Sequence, residues 1–266
     1  MKKLAINIGI LVSSLAILLL IFELLVFRLI LLPSDLPLLS DQDLSVLKYR
    51  PNQTGVYRIK NEISAPFSIN SNGWNSTLPG YEKEKDDAER RICIVGDSYV
   101  ESLQVFPADN FAAVTARELS ATFNTVFRFG ISGAPLSHYL YMIEKEVIAF
   151  SPDILVVNLV HNDFHESWFG GGGTYDESFA RFRLSEGGEI RISEPEPYTR
   201  DWTWWLKRSA TFRYFWVRMK IRPQNVKRLW MQLLGGASNS GQYVANIDVE
   251  SARDPRIPVG VEYAFS

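Results

Sequence analysis

The N-terminal part of the chain is an apolar run that limits what the chain can become. Residues 4–22 contain no charged side chain and consist mostly of Leu, Ile and Val. The apolar character continues past Glu23 and Arg28 to Leu32. This length suits a bilayer-spanning helix of about 20 residues and exceeds the roughly 7 to 15 residues of a signal-peptide core. The run therefore predicts a transmembrane anchor over residues 1–32.

The charges that flank this run predict its orientation. Lys2 and Lys3 precede it, whereas Asp35, Asp41 and Asp43 follow it. Positive charge stays on the cytoplasmic side of membrane helices, so we predict a cytoplasmic N-terminus and an extracytoplasmic main domain, periplasmic or at the cell surface. A cleaved signal peptide and a buried core helix are the alternatives, although no small-residue cleavage pattern follows the run.

Composition excludes some classes of partner. The 266 residues are 46% hydrophobic, which is enough for one sizeable core, and their formal net charge is -2 at pH 7. Because there is no bulk positive charge, we predict no nucleic-acid partner. Cys93 is the single cysteine, so an intrachain disulfide is impossible.

Strand-like and helix-like patterns alternate beyond residue 90. Apolar runs at residues 92–95, 125–129 and 154–160 predict strands, and helical patterns at residues 111–123 and 138–150 lie between them. This order predicts an α/β fold with a parallel sheet and right-handed crossovers. Ligands bind such sheets beyond the carboxyl ends of the strands.

A short polar motif follows each of the three predicted strands: Gly96-Asp97-Ser98, then Gly130-Ile131-Ser132-Gly133, then His161-Asn162-Asp163. Ser98 would stand at a strand-to-helix junction, where unpaired backbone N–H groups and the helix dipole favour an oxyanion. Simpler roles stay open for each residue. Asp97 or Ser98 could cap the helix, Gly133 could relieve a tight turn, and Asn162 could hold that turn by hydrogen bonds.

Taken together, the three motifs resemble the first three sequence blocks of the SGNH (GDSL-type) hydrolase superfamily, in order and approximate spacing, over residues 92–163. The resemblance implies a flavodoxin-like, three-layer parallel sheet. It also implies that Ser98 is the nucleophile, that Gly133 and Asn162 form the oxyanion hole with the Ser98 backbone N–H, and that Asp97 supports them.

The surroundings of the motifs resemble those of membrane-anchored bacterial members linked to surface polysaccharides. Residues 70–73 and 151–153 carry that likeness. The resemblance implies a serine esterase or O-acyltransferase acting on acetyl or similar esters of an envelope glycan. It implies partners of two kinds, the membrane and an acylated polysaccharide or small ester, and no cofactor or metal.

Two departures from the family pattern affect the expected activity. Val160 stands where the third block usually has Gly, and no histidine follows His165, although the family's base belongs to a C-terminal Asp-x-x-His motif. Because serine is a weak nucleophile without a base, we expect the chain to stop before its base and to be inactive as given. His161 or His165 as a substitute base is the alternative.

Two other functions remain open. The first is a non-catalytic, anchored protein, either glycan-binding or degenerate, that keeps the pocket. The second is a metal-dependent hydrolase, because His161, Asp163 and His165 would share one face if their segment were extended.

The remaining stretches complete the predicted domain organisation. Residues 33–90 form a linker and N-terminal extension, and residues 91–266 form the hydrolase-like domain, with its C-terminal part missing and an insertion at about 165–235. Residues 202–220 combine aromatic and cationic side chains in a helical pattern. They could lie on the bilayer near the anchor or bury their aromatic rings against the sheet, and we favour burial.

Overall fold

The computed structural model describes residues 2–42, 45–168, 177–221 and 256–265. The chain divides into two compact units. The first consists of Met1–Leu36, Val56–Ser64 and Arg200–Ser240, and the second of Pro37–Gly55, Ala65–Thr199 and Gly241–Ser266.

The first unit begins with one long apolar helix. Helix α1 covers Lys2–Ile21 and continues as a π-helical segment over Phe22–Ile30. The stretch is 29 residues long and its most apolar 18-residue window has a mean hydropathy of 2.8, so it is long and apolar enough to cross a membrane as an anchor or to serve as a signal sequence. Phe27 is the buried residue of the π-helical segment.

Three short helical segments also belong to the first unit: α6 (Thr203–Arg208), α7 (Ala210–Phe212) and a second π-helical segment, Arg213–Arg218. Their residues belong to the unit of α1 and not to that of the sheet. Trp204 is buried, but the side chains of Trp202 and Trp205 are 74% and 70% exposed. The prediction that this stretch buries its aromatic rings against the sheet is therefore wrong for these two residues.

The second unit contains a three-stranded parallel sheet in the order β4-β3-β5. Its strands are β3 (Arg91–Gly96), β4 (Thr125–Gly130) and β5 (Ile154–Val157). β3 lies in the centre and is buried along its whole length, which explains why its sequence is apolar without alternation. The predicted α/β class and the three predicted parallel strands are confirmed.

Both faces of β3 and β4 are covered. On one face, Ile92 and Ile94 pack with Val100 and Ala112 in one buried cluster. On the other face, aromatic rings pack against Phe127 and Phe129 of β4. The ring of Tyr81 stacks on that of Phe127 with the centroids 4.3 Å apart, and the ring of Trp74 meets that of Phe129 edge-on at 5.5 Å. Burial on both sides makes the position of the carboxyl end of β3 rigid.

The strand β5 differs from the prediction in length and in burial. It ends at Val157 and not at residue 160. The side chains of Ile154, Leu155 and Val156 are 41%, 39% and 41% exposed. β5 is thus an edge strand among the described residues, because it pairs with β3 alone in their sheet.

Two hairpins flank the sheet in sequence. β1 (Gln53–Ile59) and β2 (Ile63–Ile69) form a two-stranded sheet. β6 (Phe182–Leu184) pairs antiparallel with β7 (Ile190–Ile192), around a turn in which Gly188 has a φ of +81°.

The helices between the strands are shorter than predicted. α3 covers Phe111–Glu118, with Asn110 as its cap, and Leu119 is 41% exposed instead of facing inward. α4 covers Leu136–Lys145 and is followed by a 3-10 turn, Val147–Phe150.

The side chain of Ser137, in the first turn of α4, bonds to a segment distant in sequence. Pro135 occupies the cap position, and the Ser137 hydroxyl donates to the Ala180 carbonyl oxygen at 2.8 Å. A last helix, α8, covers Arg256–Phe265, where no closing element was predicted. The part of the predicted insertion and loop that falls on residues 169–176 and 222–255 lies outside the described residues.

Candidate functional site

The three predicted polar motifs follow strands whose carboxyl ends lie at the same edge of the sheet. Gly96 is in register with Gly130, and Val95 is in register with Val157. The Ile131 N–H donates to the Gly96 carbonyl oxygen at 3.3 Å, and the Asn158 N–H donates to that of Val95 at 2.8 Å. The chain after β4 and the chain after β5 are therefore both bonded to the end of β3.

Ser98 is the first residue of α2, which covers Ser98–Glu101 directly after β3. Its side chain is partly exposed, whereas Asp97 before it is buried. Asp97 caps the helix, because its Oδ1 accepts a hydrogen bond from the Tyr99 N–H at 2.9 Å. The capping role that the sequence left open thus belongs to Asp97, and the Ser98 hydroxyl is not needed for it.

Burial raises the pKa of Asp97, while hydrogen bonds from the Tyr99 backbone and the Ser98 side chain oppose that shift. Two effects of opposite sign therefore act on this carboxyl group. The Ser98 side chain lies beside a carboxylate at the start of a helix, which is a setting suited to orienting a hydroxyl.

Glu101 is a buried carboxylate that the sequence analysis missed. Its side chain accepts hydrogen bonds from the Tyr49 hydroxyl, from the Ser132 hydroxyl and, at 3.2 Å, from the Ser132 N–H. Its carbonyl oxygen accepts from the Asn75 side chain at 2.7 Å. Glu101 therefore ties the end of α2 to the loop that contains Gly133, and this arrangement holds the first two motifs together.

Burial raises the pKa of Glu101, while its hydrogen bonds with Ser132 and Tyr49 oppose the shift. No sequence signal marks this role, since a glutamate in a four-residue helical segment ordinarily faces solvent. The tertiary contacts alone identify it.

We expect Glu101→Leu to destabilise the protein by about 2 to 4 kcal/mol, because the buried hydroxyls of Tyr49 and Ser132 lose their acceptor. Glu101→Gln keeps one acceptor oxygen and should cost less. Urea unfolding in detergent micelles measures both changes. Glu118→Leu, at a site whose side chain is 67% exposed, is the control and should change the unfolding free energy by about 0.5 kcal/mol or less. A Glu101→Leu protein as stable as the Glu101→Gln protein would contradict the role of this carboxylate.

Gly133 has a φ of +81°, which is in the left-handed region that favours glycine. The turn-relieving role of Gly133 is therefore confirmed. Its role as an oxyanion donor stays a prediction. The residue is partly exposed, and its neighbour Ser132 is held by Glu101.

Asn162 lies in the first turn of a short helix, α5 (His161–Glu166). Asp163 forms the start of that helix, because its Oδ2 accepts the Val160 N–H at 2.8 Å. Asn162 is partly exposed, and Asp163 is fully buried. The third motif thus forms the first turn of a helix. The side chain that holds this turn by a hydrogen bond is that of Asp163, whereas this role was considered for Asn162.

The helical conformation removes the basis for the metal hypothesis. Successive residues of a helix are rotated by about 100°, so His161 and Asp163 point in different directions instead of sharing one face. The described residues contain no group of three His, Cys, Asp or Glu side chains that could hold a metal ion. The extended segment that the metal alternative required is therefore not present at His161–Glu166.

Asp163 is a buried carboxyl group at this edge of the sheet whose pKa is strongly raised. Burial raises its pKa to about 7, the Val160 N–H opposes that shift, and the negative charge of nearby Asp97 adds to it. Its Oδ1 and the Tyr139 hydroxyl are both buried, and the interaction of the Tyr139 side chain with the Asp163 carboxyl group also opposes the rise in pKa. Two polar groups therefore lie enclosed beneath the strand ends.

This pKa predicts a pH-dependent stability. The folded protein keeps the Asp163 proton up to about pH 7, whereas the unfolded chain loses it near pH 3.8. The folded state binds more protons in this window, so the free energy of unfolding decreases as the pH rises from about 4 to about 8, by about 1 to 4 kcal/mol. Asp163→Asn can still accept the Val160 N–H and should remove most of this slope. Urea unfolding at several pH values measures how the free energy of unfolding changes with pH. If this change is the same in both proteins, Asp163 is not its cause.

The three histidines occupy different settings. His138 is fully buried, its Nδ1 accepts the Ala180 N–H at 3.1 Å, and burial lowers its pKa to about 3. It is therefore neutral and closed to substrate. His161 is exposed at the start of α5, and His165 is partly exposed one turn later.

No protein-family model matches the chain, and no curated protein matches it in sequence.

Proposed function

We propose that this chain is a membrane-anchored serine esterase or O-acyltransferase of the SGNH type, acting on acetyl or similar esters of an extracytoplasmic polysaccharide. One observation carries the proposal. Ser98 begins a helix directly after the central strand of a parallel sheet, and the motifs that contain Gly133 and Asn162 follow the two neighbouring strands at the same edge. The three-layer, flavodoxin-like arrangement and the glycan substrate are proposed from the resemblance of the motifs.

The proposed chemistry assigns one step to each residue. The Ser98 hydroxyl attacks the ester carbonyl carbon, its proton passes to a base, and negative charge develops on the carbonyl oxygen. The backbone N–H groups of Ser98 and Gly133 and the Asn162 side-chain amide donate hydrogen bonds to that oxygen. The ester C–O bond then breaks, the alcohol leaves with the proton from the base, and an acyl-serine remains. Water, or an acceptor hydroxyl in the transferase, attacks the acyl-serine, and the acid or the new ester is released with free Ser98. Asp97 supports the geometry by capping the helix that begins with Ser98.

Membrane anchoring is supported by contacts at the end of the apolar helix. Phe27 is buried, with its ring 5.3 Å from that of Tyr214 and 5.4 Å from that of Phe215. Glu23 accepts hydrogen bonds from Ser209 and Thr211. A signal peptide is removed from the mature protein, so residues built into a folded unit favour an anchor. In the proposal the N-terminus is cytoplasmic, because Lys2 and Lys3 precede the helix.

The base determines how the proposal is tested. No histidine follows His165, so the Asp-x-x-His block of the family has no counterpart in the given sequence, and we expect little esterase activity from it alone. Imidazole in solution can accept the Ser98 proton in place of a missing side chain. The test is hydrolysis of p-nitrophenyl acetate by the full chain in detergent micelles, with and without added imidazole.

A non-catalytic, glycan-binding protein is the second candidate, and the absence of the Asp-x-x-His block favours it. The same assay separates the two. Imidazole-dependent hydrolysis that requires Ser98 supports the enzyme. If the protein adds nothing to the hydrolysis by imidazole alone but binds an O-acetylated polysaccharide, the binding protein is supported.

A further inference from the structure

The helical segments of the first unit present apolar side chains that their own unit does not cover. Trp202 and Trp205 are 74% and 70% exposed, and Phe215, Trp216 and Ile221 are 42%, 39% and 44% exposed. We call these five residues the aromatic surface. Trp is enriched at the boundary between bilayer and water, because its ring is apolar and carries a polar N–H group, and Phe is common on the apolar face of helices that lie in this boundary.

These segments are fixed to α1 at a defined position along its length. Glu23 accepts hydrogen bonds from the Ser209 hydroxyl at 2.9 Å, the Ala210 N–H at 2.7 Å and the Thr211 N–H at 3.0 Å. It therefore caps the N-terminus of α7 with a side chain from another helix. Phe27, one turn further along, packs on Tyr214 and Phe215.

The attachment point lies at a specific depth if α1 crosses a bilayer. The helix rises by about 1.5 Å per residue, so Glu23 lies about 30 Å along the axis from Lys2. This distance equals the thickness of the hydrocarbon core, about 30 Å. With Lys2 at one boundary of the core, Glu23 and the segments bonded to it lie at the other.

The charges of these segments match an anionic surface. Residues 200–221 contain six Lys or Arg residues and one Asp. Arg213 forms an ion pair with Asp35 at 2.7 Å, and Arg218 donates to the Lys60 carbonyl oxygen at 3.1 Å, so these two cations are occupied within the unit. Arg208 is exposed, and its guanidinium carbon lies 4.8 Å from the ring centroid of Trp204.

We propose that the aromatic surface lies on the lipid bilayer at the level of the head groups, at the Glu23 end of α1. Trp202 and Trp205 enter the interface, and Arg208 binds the phosphate groups of anionic lipids. The inference rests on the proposed anchoring and is independent of the proposed chemistry. It gives the protein a second membrane contact that holds this unit against the bilayer.

The test places an environment-sensitive probe at Trp205 in the full chain, reconstituted in phosphatidylcholine vesicles with and without phosphatidylglycerol. Trp205→Cys is labelled with the fluorophore NBD, and Trp202→Cys provides a second position. Cys93 does not compete for the label, because it is buried and burial raises the pKa of its thiol to about 12. Controls are Ile17→Cys in the apolar helix and Leu184→Cys, whose side chain is 51% exposed in the other unit.

We expect blue-shifted emission at position 205 and several-fold quenching by spin labels carried near the lipid head groups, both stronger with phosphatidylglycerol. Position 17 should be quenched by deep spin labels, and position 184 should resemble a probe in water. Water-like emission at positions 205 and 202 together with deep quenching at position 17 would overturn the inference. Water-like emission at position 17 as well would instead overturn the anchoring. Shielding at position 205 that depends on the protein-to-lipid ratio would mean contact with a second copy and would also overturn the inference.

Discussion

Ser98→Ala is expected to abolish the imidazole-dependent hydrolysis of p-nitrophenyl acetate, leaving the rate that imidazole produces without protein. The alanine variant has no hydroxyl to attack the carbonyl carbon, so the covalent route is closed. Asn162→Ala should leave Ser98 in place and lower the protein-dependent rate by on the order of a hundredfold, because one oxyanion donor is lost. The measurement is the initial rate of nitrophenolate release, corrected for imidazole alone.

The control for this prediction is Ser120→Ala, which removes an exposed hydroxyl far along the sequence from the three motifs. It should hydrolyse the ester as fast as the unmodified chain. Equal rates for the unmodified chain and the Ser98→Ala protein would rule out Ser98 as the nucleophile. Because Asp97 and not Ser98 caps α2, loss of the Ser98 hydroxyl should leave the urea unfolding midpoint nearly unchanged.

Gly130→Ala is expected to produce the largest loss of stability among these variants, about 3 kcal/mol or more. A Cβ atom at this position would lie 2.2 Å from the Glu101 backbone nitrogen and 2.6 Å from the Val100 carbonyl carbon. Both are backbone atoms of α2, so rotation of a side chain cannot relieve the clash. The helix that carries Ser98 must move away from the end of β4, and imidazole-dependent hydrolysis should fall with stability.

Gly187→Ala is the matched control, because its nearest neighbour would be the Ser185 Oγ at 3.9 Å. The same glycine-to-alanine change should alter the unfolding free energy by about 0.5 kcal/mol or less. Urea unfolding in detergent measures both variants. A Gly130→Ala protein as stable as the Gly187→Ala protein would show that α2 is not packed on the end of β4.

These two predictions describe one arrangement. Gly130 lets the backbone of α2 approach the strand end, and Glu101 then bonds that helix to Ser132 in the loop before Gly133. The first two motifs are therefore held together by one close backbone contact and one buried carboxylate. The third motif is held from the other side by Asp163, whose bond to Val160 forms the start of α5.

The periodic elements were predictable, because they depend on local pattern. The unbroken apolar run of β3 indicates a strand buried on both faces, and the alternating β6 and β7 segments around Gly188 indicate a hairpin. Helix limits were less predictable. Leu119 has an apolar side chain at a helical spacing, but α3 ends before it, since tertiary packing decides where a helix stops.

The candidate site was predictable only as a set of loops. Asp97, Ser98, Gly133 and Asn162 each follow a predicted strand, and parallel strands end at one edge. Their conformations were not predictable: residues 161–165 form a helix where an extended segment would have given a metal site. Glu101 and Asp163 gained their importance from burial, which depends on residues distant in sequence such as Tyr49.

The sequence by itself determined the apolar helix, the α/β order and the place of the three motifs at the strand ends, because hydrophobic period and turn residues act over a few neighbours. Only the tertiary structure decided that Glu101 binds the Ser132 loop, that Asp163 keeps its proton to about pH 7 and that Glu23 caps α7. Each of these depends on a charged group meeting a partner or losing water through contacts between segments far apart in the chain. Such contacts cannot be predicted from the hydrophobic periodicity of the sequence.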